Sequence, residues 1–564
     1  MTPCRLRLLA AGFLLGCAQV AHADIQSEQT LLDQVQALHG AGAVLENPRR
    51  CGTPLIVEAR HTVRDPALRA KLAQSLARPQ LPYSYRTPSG YFRVHYDLMG
   101  RDAVDPADTD GDRVPDYVEE AATALDEAWK LEVEVLGYRA PPGDGGVDGE
   151  EYDVFLTEQA GGAYGWTYPD SYGTTTSSYI ELDNNYAETR YWTQGLDGLR
   201  VTAAHEFFHA VQFGYYQGAD GIWWQEASAT WMEEVAHSEA DDYLNYLSAF
   251  LSDPERALDS PSFGYSDVHI YGAALFAHFL DQRHERSLIR ATWEEWGRQG
   301  NAGLEHFDRV LRRQTAQGLG EAVSEFSVWN YFTGPRYRPG HFYAESEKYP
   351  AVRSRSLATP AKVTVQHSDF LDHLASTYVR LEPQGRSGGL RLRFAPERGQ
   401  WRAQLLLVGP ESLHLQSLGA DPVEVPGWDQ YAEVVLVLTT TDQEGLGYGY
   451  GLDLEYDPEL IDQPAPLALR LAAVAPNPFR PARQAQTVFA FELDQASAAT
   501  WLSIFAADGL LVRRYDLGQR AARAYTQAWD GRNEAGELVG SGIYYGVLQT
   551  PQGSARRTLA LLRD

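Results

Sequence analysis

HEFFHAVQFGYYQGADGIWWQEASATWMEE, residues 205–234, decides how the rest of this chain is read. His205 and His209 stand four residues apart, so on a helix both imidazoles leave one face and can share a metal ion. Glu206 lies beside His205, where a carboxylate can reach a water on that metal without ligating it. A hydrolytic zinc site takes three protein ligands and keeps one position open. Glu226 is the candidate third ligand, at the start of a second helical pattern that carries Ala229, Thr230 and Glu233 on the same face.

The two segments together resemble the gluzincin metallopeptidases, the group of thermolysin and aminopeptidase N, in which a glutamate on a following helix completes the zinc site. Trp223-Trp224-Gln225-Glu226-Ala227-Ser228-Ala229-Thr230-Trp231-Met232-Glu233 is similar to the aminopeptidase-type glutamate helix. Ala204 to Gln212, AHEFFHAVQ, also resembles the mark of a group of secreted bacterial proteins read as metalloproteases. The resemblance covers roughly residues 82–340. It implies that His205, His209 and Glu226 bind Zn2+, that Glu206 moves the proton, and that Glu233 and Thr230 orient ligands from behind. Glu233 and Glu234 also read as solvated helix positions. His269-Ile270-Tyr271-Gly272-Ala273 is similar to the aminopeptidase segment whose tyrosine stabilises the oxyanion, which makes Tyr271 the candidate, with His269 second. A core tyrosine at a helix start is the other reading, in a chain with 32 tyrosines.

The chain has 564 residues, too many for one core. Arg5 and Arg7 precede the apolar run Leu8–Leu15, and Ala21-His22-Ala23 offers a cleavage site, so residues 1–23 read as a signal peptide. Leu14-Leu15-Gly16-Cys17 resembles a lipoprotein box, so anchoring at the cell envelope through Cys17 stands as the alternative to free secretion. The run is too short to span a bilayer. The net charge of −28, from 76 acids against 48 bases, argues against nucleic-acid and anionic-membrane partners; a protein or peptide substrate is what the metallopeptidase resemblance implies.

Residues 24–81 read as a propeptide or N-terminal prelude, with an amphipathic helix near 30–38 and a linker at 78–82. Residues 82–345 form the expected catalytic domain, β-rich and then helical. Its strands are expected at 91–96, 152–157 and 178–182, the last, taken on to Asp183, as the edge along which an extended peptide lies. Alternating runs mark 346–460 as a β-sandwich. Residues 467–564 carry Ala475-Pro476-Asn477-Pro478-Phe479, Trp529-Asp530-Gly531-Arg532-Asn533 and Ser541-Gly542-Ile543-Tyr544-Tyr545. These resemble the immunoglobulin-like domain of the flagellar hook-capping protein and the sorting modules of type IX-secreted proteins, implying contact with secretion or cell-surface machinery. The expected fold is α+β, a gluzincin core followed by two β-sandwiches.

Asp108, Asp110, Asp112, Asp116 and Glu119 fall at positions 1, 3, 5, 9 and 12 of an EF-hand-like loop, with the Val114 carbonyl at 7. That set suits Ca2+, although Arg113 stands where a glycine normally makes the turn. A helix capped by Asp116 is the simpler reading. Cys4 and Cys17 fall in the leader, which leaves Cys51 without an intramolecular partner. Pro48-Arg49-Arg50-Cys51-Gly52-Thr53-Pro54 resembles the cysteine switch of matrix metalloproteinase propeptides, where a thiolate fills the open zinc position. Arg50 is an extra residue in that motif and Leu55 replaces its aspartate. A buried, inert thiol is the alternative. The expected function is a secreted, calcium-stabilised zinc peptidase, an endopeptidase because no exopeptidase motif is present. A surface adhesin on an inactive protease scaffold is the alternative.

Overall fold

The computed structural model describes residues 26–38, 50–147, 149–159, 162–187, 189–261, 267–358, 362–366, 371–383, 385–409, 412–461, 470–493, 495–507, 509–551 and 553–563. The expected leader with Cys17, and Pro48 and Arg49 of the Cys51 motif, lie outside them. The chain divides into two compact units, residues 1–250 with 259–315, and residues 251–258 with 316–564.

The first unit is built on a five-stranded sheet. In chain order its strands are β1 (Tyr83–Arg86), β2 (Phe92–Tyr96), β3 (Tyr152–Thr157), β4 (Gly165–Pro169) and β5 (Ser178–Asp183). They lie in the order β1-β2-β3-β5-β4, with β2, β3 and β5 parallel and β4 antiparallel to β5. The expectation of an edge strand at 178–183 is therefore wrong: β5 is interior, and β4 forms the edge. Every residue of β4 and β5 is buried, so neither shows the alternation that marks an edge in sequence.

Helices pack around this sheet. α1 spans residues 26–38, α2 Thr53–Thr62 and α3 Pro66–Ser75. Leu32, Val35, Leu55, Ile56, Leu68 and Leu72 from these three share one core with Phe155, Trp166, Tyr168 and Tyr179 of the sheet. The presumed linker after them is pinned, since Arg78 pairs with Asp144, Asp153 and Asp170. α4 (Asp116–Trp129) runs on into a π-helical turn, Lys130–Val135.

α5 (Gly195–Phe213) carries His205 and His209, and α6 (Ile222–Ala236) carries Glu226 and Glu233. Both are apolar on nearly every side, as buried helices must be: Phe207, Phe208 and Val211 fill α5, and Trp223, Trp224 and Trp231 fill α6. α5 can lie close to the sheet edge because of Gly165, where a Cβ would meet Thr202 Cγ2 at 2.9 Å and Glu206 Cγ at 3.2 Å. α7 (Leu244–Leu251), α8 (His269–Gly272), α9 (Ala274–Arg283), α10 (Ser287–Gln299) and α11 (Leu304–Thr315) follow.

The second unit begins earlier than the expected boundary at 345. Helix α12 (Leu319–Tyr331) belongs to it, and its Tyr331 hydroxyl bonds Glu433 on the strand Glu433–Thr440. Two sandwiches follow, yet one nine-stranded sheet runs through both. The join is the short pairing of Leu413 with Ser554 and His414 with Gly553. Leu390, Leu392, Leu405, Leu436 and Leu452 lie in one core, and Phe489, Leu502, Ile504, Trp529 and Leu559 in the other. The architecture is α+β with a β-rich C-terminal region. No helix among the described residues is long and apolar enough to cross a membrane.

Candidate metal centre

Four side chains from three parts of the first unit converge: Cys51, His205, His209 and Glu226, all buried, with ligand atoms within 4.8 Å of one another. The two Nε2 atoms are 3.1 Å apart. Cys51 Sγ is 3.4 Å from His209 Nε2. Glu226 places Oε1 3.1 Å from His209 Nε2 and Oε2 3.4 Å from His205 Nε2, neither in hydrogen-bond geometry. Tetrahedral zinc with ligands at about 2.0–2.3 Å requires ligand-to-ligand edges of roughly 3.3–3.7 Å, close to these distances.

The proton positions support the same fit. Gln212 Nε2 donates to Gln225 O (3.0 Å) and Ser228 Oγ (3.1 Å). Its Oε1 is thereby an acceptor for His209 Nδ1 at 2.8 Å. His205 Nδ1 donates to Glu233 Oε1 at 2.6 Å. With both protons on Nδ1, both Nε2 atoms present lone pairs to each other, to a carboxylate and to a sulfur. Electron-rich atoms do not gather out of water without a cation or extra protons. Lacking a metal, the cluster holds a proton: burial disfavours the His205 imidazolium, but Glu226 and Glu233 outweigh it and raise it to about 9. Burial pushes the Cys51 thiol well up, and the nearby Glu206 and Glu226 push it further. A thiolate there needs a positive partner. The donor set of one sulfur, two imidazoles and one carboxylate suits zinc.

The catalytic candidates surround this cluster, and residues 50–53 touch most of them. Glu206 Oε2 accepts from Thr167 Oγ1 (2.9 Å) and Thr53 Oγ1 (3.2 Å), whereas its Oε1 is buried with no hydrogen-bond partner among the described residues. The Tyr271 hydroxyl meets the Cys51 backbone, 3.3 Å from its nitrogen and 3.2 Å from its oxygen. Cys51 pairs with Gly165 as a parallel bridge, with Gly52 N donating to Gly165 O (3.0 Å) and Tyr164 N to Arg50 O (3.2 Å). The segment therefore lies along the start of edge strand β4. A Cβ on Gly52 would meet the Trp166 ring at 2.7 Å, so this close fit requires glycine.

Glu233 is buried, not solvated, and holds both His205 and Arg50. The Thr230 hydroxyl is buried but bonds no ligand among the described residues, and the His269 ring packs at a tilt against Phe250. Sequence reasoning missed Gln212, whose place one helical turn beyond His209 was a usable signal. It also missed Thr53, Thr167 and Asp242, which only the tertiary fold brings in, and it expected Arg50 to assist the Cys51 thiolate, whereas Arg50 pairs with Glu233 and Asp242.

The acidic loop is of another kind. Asp108, Asp110 and Asp112 come together and are exposed. Arg113 adopts φ 80°, the left-handed conformation that the glycine of an EF-hand loop would supply. Asp116 Oδ1 accepts from Thr109 N at 2.9 Å instead of joining the three aspartates. Partial burial raises the Glu119 carboxyl, with further contributions from Asp110, Asp112, Asp116 and Asp108.

The family model described as the FlgD Ig-like domain matches residues 479–554, so the C-terminal sandwich is an immunoglobulin-like module. No curated protein matches the chain. Among solved structures, FlgD from P. aeruginosa is 27% identical over 13% of this chain and 58% of its own, with a TM-score of 0.12. Aminopeptidase A of Legionella pneumophila, in complex with aspartic acid, is 12% identical over 64% of this chain and 36% of its own, at 0.31. PorZ, a surface component of the type IX secretion system of Porphyromonas gingivalis, is 15% identical over 28% and 22%, at 0.14. This chain thus spans at most 58% of any of the three, and with TM-scores this low none bears on the metal cluster.

Proposed function

We propose that this chain is an exported zinc peptidase of the gluzincin type, made in a latent form that Cys51 holds shut. The observation that carries the reading is the buried convergence of Cys51, His205, His209 and Glu226, with both histidine Nδ1 protons committed elsewhere. His205, His209 and Glu226 would hold the ion, and Cys51 would occupy the position that a working site keeps open. When bound, the metal supplies Lewis acidity and an acidified water.

The chain's own residues do the rest. Glu206 Oε1, without a hydrogen-bond partner among the described residues, takes a proton from the attacking water and returns it to the amine nitrogen as the C–N bond breaks. The Tyr271 hydroxyl, once released from the Cys51 backbone, donates to the developing oxyanion. Glu233 and Gln212 keep both imidazoles in the required tautomer. Calcium in the loop at Asp108, Asp110 and Asp112 would stabilise the unit. The C-terminal module, similar to that of FlgD, would contact secretion or surface machinery.

The test is metal analysis coupled to a casein digest of the full chain and of Cys51→Ser. The expected result is one zinc per chain in both, with hydrolysis by Cys51→Ser well above the parent. Adding Glu206→Gln should keep the zinc and cut the rate by roughly 10²–10⁴-fold, the range for loss of a general base. Stoichiometric zinc with no hydrolysis in any form would favour an inactive scaffold whose four-ligand site is purely structural.

A further inference from the structure

Arg50 is the residue that the Cys51 motif does not require, and it is fully buried beside the metal cluster. Its Nε lies 3.1 Å from Glu233 Oε1 and 3.3 Å from Asp242 Oδ2. Its Nη1 donates to Thr202 Oγ1 at 2.9 Å, and its guanidinium carbon sits 4.4 Å from the centre of the Tyr164 ring. Two carboxylates, a hydroxyl and an aromatic face make a pocket suited to a guanidinium. The fit is nevertheless incomplete, since Nη2 is buried with no hydrogen-bond partner among the described residues. A guanidinium locked permanently into a core normally satisfies its donors.

The backbone that delivers Arg50 behaves as a peptide bound at a sheet edge. Its carbonyl accepts from Tyr164 N, the next residue but one donates to Gly165 O, and Cys51 between them faces the histidines. An extended substrate adding to the same edge would use the same two backbone groups of the enzyme and project a neighbouring side chain into the same pocket. Once residues 50–53 leave, Glu233 and Asp242 lose the cation that neutralises them. Glu233 keeps only the N–H of His205, and Asp242 keeps only neutral donors, the hydroxyls of Thr193 and Tyr246, so the demand for a positive partner falls on Asp242.

We infer that the pocket formed by Tyr164, Thr202, Glu233 and Asp242 recognises a basic side chain of the peptide substrate next to the scissile bond, and that Arg50 fills it in the substrate's place. The inference rests on the peptidase reading above and adds the substrate class. Arginine should be preferred over lysine, because the stacked face and the forked contacts favour a planar guanidinium.

The experiment uses the full chain with Arg50→Ala and Cys51→Ser, which frees both anchors, and Cys51→Ser alone in case the double variant folds poorly. Two labelled hexapeptides differing only in a central arginine or norleucine are compared in two ways. On forms that also carry Glu206→Gln, fluorescence anisotropy reads recognition without turnover. On forms that keep Glu206, mass spectrometry reads cleavage. The arginine peptide is expected to bind tighter by roughly tenfold or more, the scale of a buried charge pair, and to be cut beside the arginine. In the single variant Arg50 competes, so the same preference appears at weaker apparent affinity. Asp242→Asn is expected to abolish the preference while zinc content stays unchanged. Equal binding of the two peptides, or a preference that survives Asp242→Asn, overturns the pocket. Arginine-selective binding without cleavage in any form that keeps Glu206 would instead overturn the peptidase reading and leave the pocket standing.

Discussion

The first unit gathers acids in two places, and the contrast between them shows what a protein must add to carboxylates to make a centre. Around Glu226, Glu233 and Glu206 every acid is buried, Glu233 and Glu206 accept hydrogen bonds, Glu226 faces both imidazoles, and two imidazole tautomers are set by neighbours. At Asp108, Asp110 and Asp112 the acids are exposed, and their oxygens largely accept from the loop's own backbone: Gly111 N on Asp108, Asp112 N on Asp110, Val114 N on Asp112. Burial raises the stakes of the first cluster, because an unpaired charge there costs several kcal/mol. Water screens the second, which can wait for an ion at little cost.

The largest test of this contrast is Arg50→Ala. It leaves Asp242 and Glu233 buried without their cation, and loss of one partner of a buried pair costs about 3–5 kcal/mol. Urea denaturation of the first unit's transition, with zinc retained, should show a fall of that size. A fall below about 1 kcal/mol would mean that water already reaches the pocket, as it does for exposed pairs.

How much of this was legible depended on whether a residue's partner lay nearby in sequence. His205, His209 and Gln212 share one helix, and Glu226 and Glu233 share another, so spacing alone put each set on one face. The oxygens of the acidic loop could likewise be read in order. Arg50 could not be read this way: its acceptor Glu233 lies 183 residues on, and the pattern showed only an extra arginine. Strand β4 escaped for a different reason. Gly165-Trp166-Thr167-Tyr168-Pro169 is buried on both faces, covered by α2 on one side and approached by α5 on the other, so it carries no period of two. In sequence the edge therefore falls to β5, whose place in the sheet is interior. The nine-stranded sheet of the second unit was equally hidden, because only two residue pairs join strands from separate modules.

A smaller effect sharpens the buried side of the comparison with an acid that pairs with no cation among the described residues. Glu181 on β5 is fully buried, and burial raises its carboxyl to about 7, despite a hydrogen bond from Thr157 Oγ1 at 2.9 Å. Its folded value lies above the ordinary 4.5, so folding favours the protonated form. The stability this group contributes is present below about pH 4.5 and is lost as pH rises through about 7, a change of about 3 kcal/mol. Denaturation of the parent and of Glu181→Gln at pH 5 and pH 8 isolates it. The parent should lose stability relative to the glutamine variant across that interval. Parallel curves would mean that Glu181 ionises freely, and that burial alone does not separate it from the exposed acids.

The smallest expected effect tests the exposed side. If the loop at Asp108, Asp110 and Asp112 takes calcium, an ion bound only by the folded unit stabilises it by mass action, about 1.4 kcal/mol at ten times the dissociation constant. Arg113 already sits at φ 80°, so the turn need not be remade when the ion enters. What must change is the aspartate hydrogen bonding, since each oxygen given to the ion stops accepting from a backbone amide. Those bonds to exposed amides are cheap to surrender, because water replaces them, whereas the same exchange in the buried cluster would strand polar groups. The stabilisation should therefore be modest and saturable in the millimolar range (~10⁻³ M) typical of weak extracellular sites. Calcium titrated into the zinc-loaded chain should raise the first unit's melting temperature by a few degrees, and Asp110→Ala should remove most of that rise. A melting temperature indifferent to calcium would leave these aspartates as caps for their own loop. A rise that survives Asp110→Ala would place the ion elsewhere.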